Sequence, residues 1–331
     1  MRIEAFTEAK DPRRPESNED RIVALPGRVF AVIDGATDKS GRLHGGLTGG
    51  QIAANAVAAT VAALAYDPAP PPSGPDLVAR ISEEIQSRYR ALGLVAEAQA
   101  DPLAQFSATL ALALAVPGGW RFYRVGDSGI RLNGHALLLD ESQLDPVYSQ
   151  FRVALWHRFI AAGLAVDEVD RRSRQRLVGG AAHPSEDHAL VTAARDEAVQ
   201  KIAASHPDLA ATEIRRILDR GLSSQTDYRG GDAPLYRGLD HPLGYGPQDG
   251  WPTPDRFIRI DEKPSQEIDK IELFTDGYYG VSEIATIAGW EGWLADIQRD
   301  DPYRIGRCPS TKGSAPGRNA DDRSVLIVTD L

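Results

Sequence analysis

The sequence predicts an α+β protein. Three observations point there: apolar strand runs that stop at an aspartate, an alternating leucine and alanine hairpin, and amphipathic helical stretches set between them. Val29 to Ile33 is a continuous apolar, β-branched run ending at Asp34-Gly35, which reads as a buried strand closed by a tight turn. The segment from Gly49 to Ala65 is rich in helix formers. Ile52, Val57, Val61 and Leu64 recur on one face of it.

After the proline-rich loop that begins at Asp67, a second amphipathic helix is expected from about Asp76 to Leu92, where Leu77, Ile81, Ile85 and Tyr89 recur every four residues. From Ser107, Leu110, Leu112 and Leu114 share one strand face and alanines the other, so a second layer can pack close to the small side. Pro117-Gly118-Gly119 then turns the chain, and Trp120 to Val125 returns as a strand before Gly126-Asp127-Ser128.

The stretch from about 144 to 225 changes character, being charged and helical in period. It reads as an insertion with helices at 146–162, 166–177, 187–204 and 209–222. A glycine- and proline-rich, flap-like loop is expected at about 228–254. Strand pattern resumes at Arg256 to Ile260, at Lys270 to Phe274 before Thr275-Asp276-Gly277, and at Ser324 to Thr329 after Asp321-Asp322-Arg323. The expected organisation is one domain over residues 1–331 carrying that insertion and that loop.

A net charge of −10 argues against a broad nucleic-acid or anionic-membrane surface, because such partners would be repelled along the whole contact. Cys308 stands alone, so a disulfide framework and a cysteine-rich zinc site are excluded. No stretch approaches the roughly 20 apolar residues of a membrane helix, and no signal-peptide pattern opens the chain. The expected location is cytoplasmic, and any metal must rely mainly on oxygen ligands.

The recurring chemical device is an aspartate at the edge of a strand, in FAVIDG, YRVGDS, LFTDG and NADDRSVLIV. One such aspartate reads as an ordinary turn residue. Several converging on one spot would repel unless a cation neutralised them, and oxygen clusters favour magnesium, manganese or calcium.

Taken in order, Asn18-Glu19-Asp20-Arg21, Phe30 to Gly35, Ser107-Ala108-Thr109, Val125 to Ser128, Phe274 to Gly277 and Asp321 to Ser324 resemble the signature blocks of the metal-dependent type 2C (PPM) Ser/Thr protein phosphatases, in a bacterial-like form. The resemblance spans both ends of the chain and leaves the helical insertion largely outside it. It implies a four-layer α-β-β-α sandwich of two mainly antiparallel sheets, and hydrolysis of phosphoserine or phosphothreonine on a protein. It further implies Mg2+ or Mn2+ as cofactor: two ions that activate a water, held by Asp34 as the bridging ligand, the Gly35 carbonyl, Asp276 and Asp321. Asp127 matches a weaker third-metal position. Glu19 and Asp20 would orient water, and Arg14 or Arg13 would grip the phosphate, although Arg14 stands one residue farther from Glu19 than the family spacing.

Two departures stand out. Many eukaryotic relatives read Asp-Gly-His-Gly where this chain reads Asp34-Gly35-Ala36-Thr37, so the histidine general acid is absent, with His44 the nearest conceivable substitute. The third block carries Ser-Ala-Thr for Gly-Ser-Thr. His183, His188 and His241 read as surface or flap histidines, and Trp290 and Trp293 as core anchors. Two rival readings share the fold: a catalytically inactive sensor or scaffold, and a phosphatase of small phosphoesters. A haloacid-dehalogenase reading of IDGAT fails, because position 32 is Val where that chemistry needs an aspartate.

Overall fold

The structure is a computed structural model that describes residues 1–36, 41–140, 142, 144–207, 209–228, 244, 246–314 and 318–331. Two compact units are present. The first comprises Met1–Glu141, Arg229–Leu294 and Gly317–Leu331, and the second Ser142–Tyr228 with Ala295–Pro316. The second unit thus takes in the stretch expected as a helical insertion, together with residues 295–316, which no sequence feature attaches to it. Most of the expected flap, with His241, and Thr37 fall outside the described residues.

In the first unit the strands are β1 (Arg2–Glu8), β2 (Arg21–Leu25), β3 (Val29–Ala36), β4 (Ser107–Val116), β5 (Gly119–Val125), β6 (Gly129–Leu132), β7 (Ala136–Leu138), β8 (Ile258–Pro264), β9 (Lys270–Phe274) and β10 (Arg323–Thr329). They form two antiparallel five-stranded sheets, ordered β1-β10-β9-β6-β7 and β2-β3-β4-β5-β8. Helices α1 (Gly49–Leu64), α2 (Gly74–Leu92) and the short α3 (Val95–Ala100) follow β3.

Alternation along β4 decides how the layers stack. Leu110, Leu112 and Leu114, with Val29, Ala31 and Ile33 of β3, join Val57 and Val61 of α1 and Leu77, Ile81 and Ile85 of α2 in one apolar cluster. Ala111 and Ala113 point the other way, and with Phe30, Val32 and Phe122 they meet Ile271, Leu273, Leu326 and Val328 of the opposing sheet. Beyond that sheet, Phe274, Val325 and Ile327 pack against Trp290 and Leu294 of α8 (Ile287–Asp300). The order is therefore helices, sheet, sheet, helix, as expected. Each fully buried leucine, valine or phenylalanine in these layers contributes about 1.5–3 kcal/mol.

Under α8 lies a buried ion pair. Arg131 of β6 donates through Nε to Glu272 Oε1 at 2.8 Å and through Nη2 to Oε2 at 2.5 Å, while Trp290 Nε1 donates to Oε2 at 3.0 Å. Arg131 also binds the Ser282 carbonyl and lies over the Trp290 ring. The Trp290 anchor expected from sequence is fully buried, and Trp293 donates to the Tyr278 carbonyl at 3.2 Å.

The second unit contains α4 (Leu144–Ala161), α5 (Val166–Gly179), α6 (His188–Ser205) and α7 (Ala211–Arg220). Helix α7 stops two residues short of the expected Leu222. Gly221 there takes φ +60°, and an added Cβ would meet the Leu177 carbonyl oxygen at 2.3 Å, so the chain tightens into a 3-10 turn over Gly221–Tyr228. Arg152 is fully buried here and bonds Asp170 at 2.9 Å and the Tyr303 carbonyl at 2.7 Å. The strand expected at Arg256 starts instead at Ile258, after a 3-10 turn at Asp255–Phe257, and pairs with β5 from Val125 to Gly119.

Candidate metal centre

The antiparallel register brings the aspartates to one end of the two sheets. Arg21 faces Ile33, so Asp20, one residue before β2, stands beside Asp34, one residue beyond Ile33 in β3. Asp34 faces Thr109 of β4. Thr109 bonds Ser128 at 2.9 Å, hydroxyl to hydroxyl, and Gly126, at φ +94°, fits only because it has no Cβ, which would strike the Thr109 side chain at 2.4 Å. Asp127, between those two contacts, is thereby held next to Asp34.

From the other sheet come Asp276 and Asp321. Asp276 opens a 3-10 turn directly after β9, and Asp321 precedes β10. The Thr275 amide donates to the Ser324 carbonyl at 3.0 Å, and an added Cβ on Gly277 would lie 2.0 Å from the Asp322 carbonyl oxygen, so the two loop ends touch. Thr275 also ties this sheet to the first. Its hydroxyl donates to Asp20 Oδ2 at 2.9 Å and accepts from the Ser324 amide at 2.9 Å.

Helix α1 begins at the same place. Thr48 caps it, accepting from Gln51 N at 3.2 Å, and Thr48 Oγ1 bonds the Glu19 carboxylate. Added Cβ atoms on Gly35 and Gly50 would sit 2.6 Å from Gly50 O and 2.7 Å from Glu19 Oε1, so only glycine allows this approach. Asp322 closes the arrangement, its two carboxylate oxygens accepting from the Lys10 amide and, at 2.8 Å, from the Glu19 amide.

The electrostatics record the crowding. Asp34 is pushed well above the usual carboxylate range by burial first, then by the negative charges of Asp20, Asp276, Asp127 and Asp321. Burial likewise raises Asp20, followed by the charge of Asp322; hydrogen bonds from Ser324 and Thr275 act in the opposite direction. Asp20 and Glu19 are buried, Asp34, Asp127, Asp321 and Asp322 half-buried and Asp276 exposed, which grades the cluster from its floor to an open rim.

A divalent cation suits this donor set in kind: all oxygen, strongly anionic, with the buried Asp20 Oδ1 left without a hydrogen-bond partner. Among the described residues no three His, Cys, Asp or Glu side chains close to a ready-made ligand cluster. The carboxylates feel one another's charge without converging on one point.

The remaining expected residues lie elsewhere. The exposed Arg14 pairs with Glu16 at 3.5 Å, and Arg13 grips Asp11 through Nε at 2.9 Å and Nη2 at 3.0 Å. Asp11 is held down at about 2, chiefly by that Arg13 hydrogen bond. His44 lies edge-on to the Phe106 ring at 5.0 Å. His183 bonds the Pro184 carbonyl and His188 the Thr192 hydroxyl, both local surface contacts. Thr275, Thr48 and Asp322 were not singled out from the sequence. The one signal for them was adjacency to an Asp-Gly or Asp-Asp pair or to a helix start.

Residues 13–143 match the sequence model of the protein phosphatase 2C family. The matched stretch holds Glu19, Asp20, Asp34, Gly35 and Asp127. No curated protein matches the chain. Among solved structures, the chain is similar to the Mycobacterium tuberculosis serine/threonine phosphatase PstP/Ppp at 15% identity, covering 98% of this chain and 97% of that one, with a TM-score of 0.41. Similarity to Stp1 from Staphylococcus aureus is 12%, over 100% and 95% of the two chains, TM-score 0.46. A third, the PstP catalytic domain in complex with two manganese ions, is 13% identical over 98% and 96%, TM-score 0.44. No helix among the described residues is long and apolar enough to cross a membrane.

Proposed function

We propose that this chain is a Mg2+- or Mn2+-dependent phosphatase of phosphoserine and phosphothreonine in proteins. The observation that carries the reading is the grouping of Asp34 with Asp20, Asp127, Asp276 and Asp321, drawn from both sheets and near enough that their charges all act on Asp34. Asp34, the Gly35 carbonyl, Asp276 and Asp321 would hold two ions, with Asp127 a candidate for a third. When bound, the ions supply charge neutralisation for the phosphoryl oxygens and lower the pKa of water.

Protein groups do the rest. Asp20, fixed through Oδ2 by Thr275, offers its buried Oδ1 as an acceptor that orients an attacking water. Glu19, tied to Thr48 and through its amide to Asp322, keeps that loop from shifting. Ala36 follows Gly35 where a histidine acid would stand, so solvent at the exposed rim delivers the leaving-group proton.

The test is turnover of p-nitrophenyl phosphate and of phosphopeptides by the purified chain with and without manganese, beside Asp276→Asn. Manganese-dependent turnover that the substitution abolishes supports the reading. Turnover indifferent to metal, or none from folded protein, refutes it. Preference for p-nitrophenyl phosphate over every phosphopeptide would move the substrate class to small phosphoesters.

A further inference from the structure

We propose that Lys10 is the cationic contact for the substrate's phosphoryl group; this rests on the phosphatase reading above. A phosphate monoester is a dianion; bound ions would offset part of the carboxylate charge it meets, and a protein cation at the rim would draw it in and fix its orientation. For that protein cation the sequence points to Arg14 or Arg13. Neither is placed to serve. Arg13 has two guanidinium nitrogens committed to Asp11, and Arg14 turns outward to Glu16.

Among the described residues, two other cations reach the cluster. Arg21 is half-buried, with Nη1 bonded to the Asn18 and Asp20 carbonyls at 2.8 and 2.7 Å and Nε to Asn55 at 2.7 Å. Its work is to brace the backbone around Asp20. Lys10 is different: its ammonium lies 4.0 Å from Asp321 Oδ1, and its side chain keeps 42% of its surface open to solvent.

The backbone of Lys10 is fixed on both sides. Its amide donates to Asp322 Oδ1, and its carbonyl accepts from the Asn319 amide at 2.8 Å. Asn319 also reaches back to Glu8 Oε2 at 2.8 Å and to the Ala9 carbonyl at 3.3 Å. A flexible four-carbon stem therefore starts from a pinned root, and the same Asp322 carboxylate that pins it also pins Glu19. This anchoring presents a solvent-accessible ammonium, a compact point charge suited to phosphate, at the mouth of the cluster. When phosphate enters, Lys10 exchanges Asp321 for a phosphoryl oxygen, and no covalent step is involved.

The experiment is calorimetric titration of the manganese-loaded chain with inorganic phosphate, and of the metal-free chain with manganese, for wild type, Lys10→Met, Lys10→Arg and Arg14→Met. Steady-state kinetics on p-nitrophenyl phosphate accompany it. Lys10→Met should weaken phosphate binding about tenfold, as expected for loss of one charge-assisted hydrogen bond. It should raise KM more than it lowers kcat, with Lys10→Arg recovering most of the loss and Arg14→Met matching wild type. Phosphate binding unchanged in Lys10→Met overturns the proposal, and so does a loss that appears in Arg14→Met instead. If Lys10→Met only tightens manganese binding, Lys10 is a charge balancer for Asp321 and the proposal fails. Manganese-dependent turnover by wild type alongside any of these failures leaves the phosphatase reading standing.

Discussion

Replacing Glu272 by Gln should unfold the first unit more readily than any single change at its surface. The wild-type carboxylate is fully buried and accepts three hydrogen bonds, two from Arg131 and one from Trp290 Nε1. An amide keeps the shape but removes the charge, and its NH2 faces donors. The guanidinium, only 5% exposed, is then left as an uncompensated buried cation. Breaking such a pair costs about 3–5 kcal/mol. In a unit of this size each kcal/mol moves the midpoint by about 2–4 °C, so the shift should be on the order of 10 °C. Thermal and urea unfolding, followed by far-ultraviolet circular dichroism and tryptophan fluorescence, would measure it. The double variant Arg131→Met, Glu272→Leu removes both charges and should recover most of the loss, the orphaned Trp290 N–H accounting for the remainder. A single variant within about 1 kcal/mol of wild type would refute the reasoning, as would a double variant no more stable than the single.

Thr275→Val keeps the shape and deletes the hydroxyl that bridges Asp20 and the Ser324 amide; we expect a loss of about 1–3 kcal/mol, read by urea unfolding, and weaker manganese binding by calorimetry. Gly277→Ala places a methyl 2.0 Å from the Asp322 carbonyl oxygen, where backbone must move; it should cost at least about 1–3 kcal/mol in the same unfolding assay and depress manganese-dependent turnover. The raised Asp20 and Asp34 set a pH dependence for the metal-free protein. Between the ordinary carboxylate pKa of about 4 and their higher folded values, the folded state holds protons that the unfolded chain has released, so stability falls as pH rises through that window. Thermal midpoints in EDTA should therefore be higher at mildly acid than at neutral pH, and saturating manganese should flatten that slope.

How much of this could be read beforehand follows from where each element draws its stability. The buried strands β3, β4 and β9 announce themselves because they are apolar on both faces or alternate cleanly, and α1 and α2 because their apolar residues recur at helical spacing. By contrast β1, β2, β6 and β7 were not foreseen. β1, β2 and β7 are sheet edges, β6 and β7 span only four and three residues, and β1 takes its pairing from the far end of the chain, as when Glu8 pairs with Arg323. Aspartates at strand ends were legible for the same reason that the strands were. Thr275, Asp322 and Lys10 were not, because a hydrogen bond from Thr275 to Asp20 depends on the packing of one sheet over the other. No local pattern encodes that.

The alternation along β4 has a consequence for the chemistry. Asp20 and Asp34 ride on one sheet, Asp276 and Asp321 on the other, so the width of the apolar layer between the sheets is the caliper of the centre. Ala111 and Ala113 set its jaws narrow from the middle of the core, well away from any carboxylate in the sequence. Enlarging either would open the gap that a cation has to bridge, and a change with no polar atom in it would be felt first as a change in metal affinity.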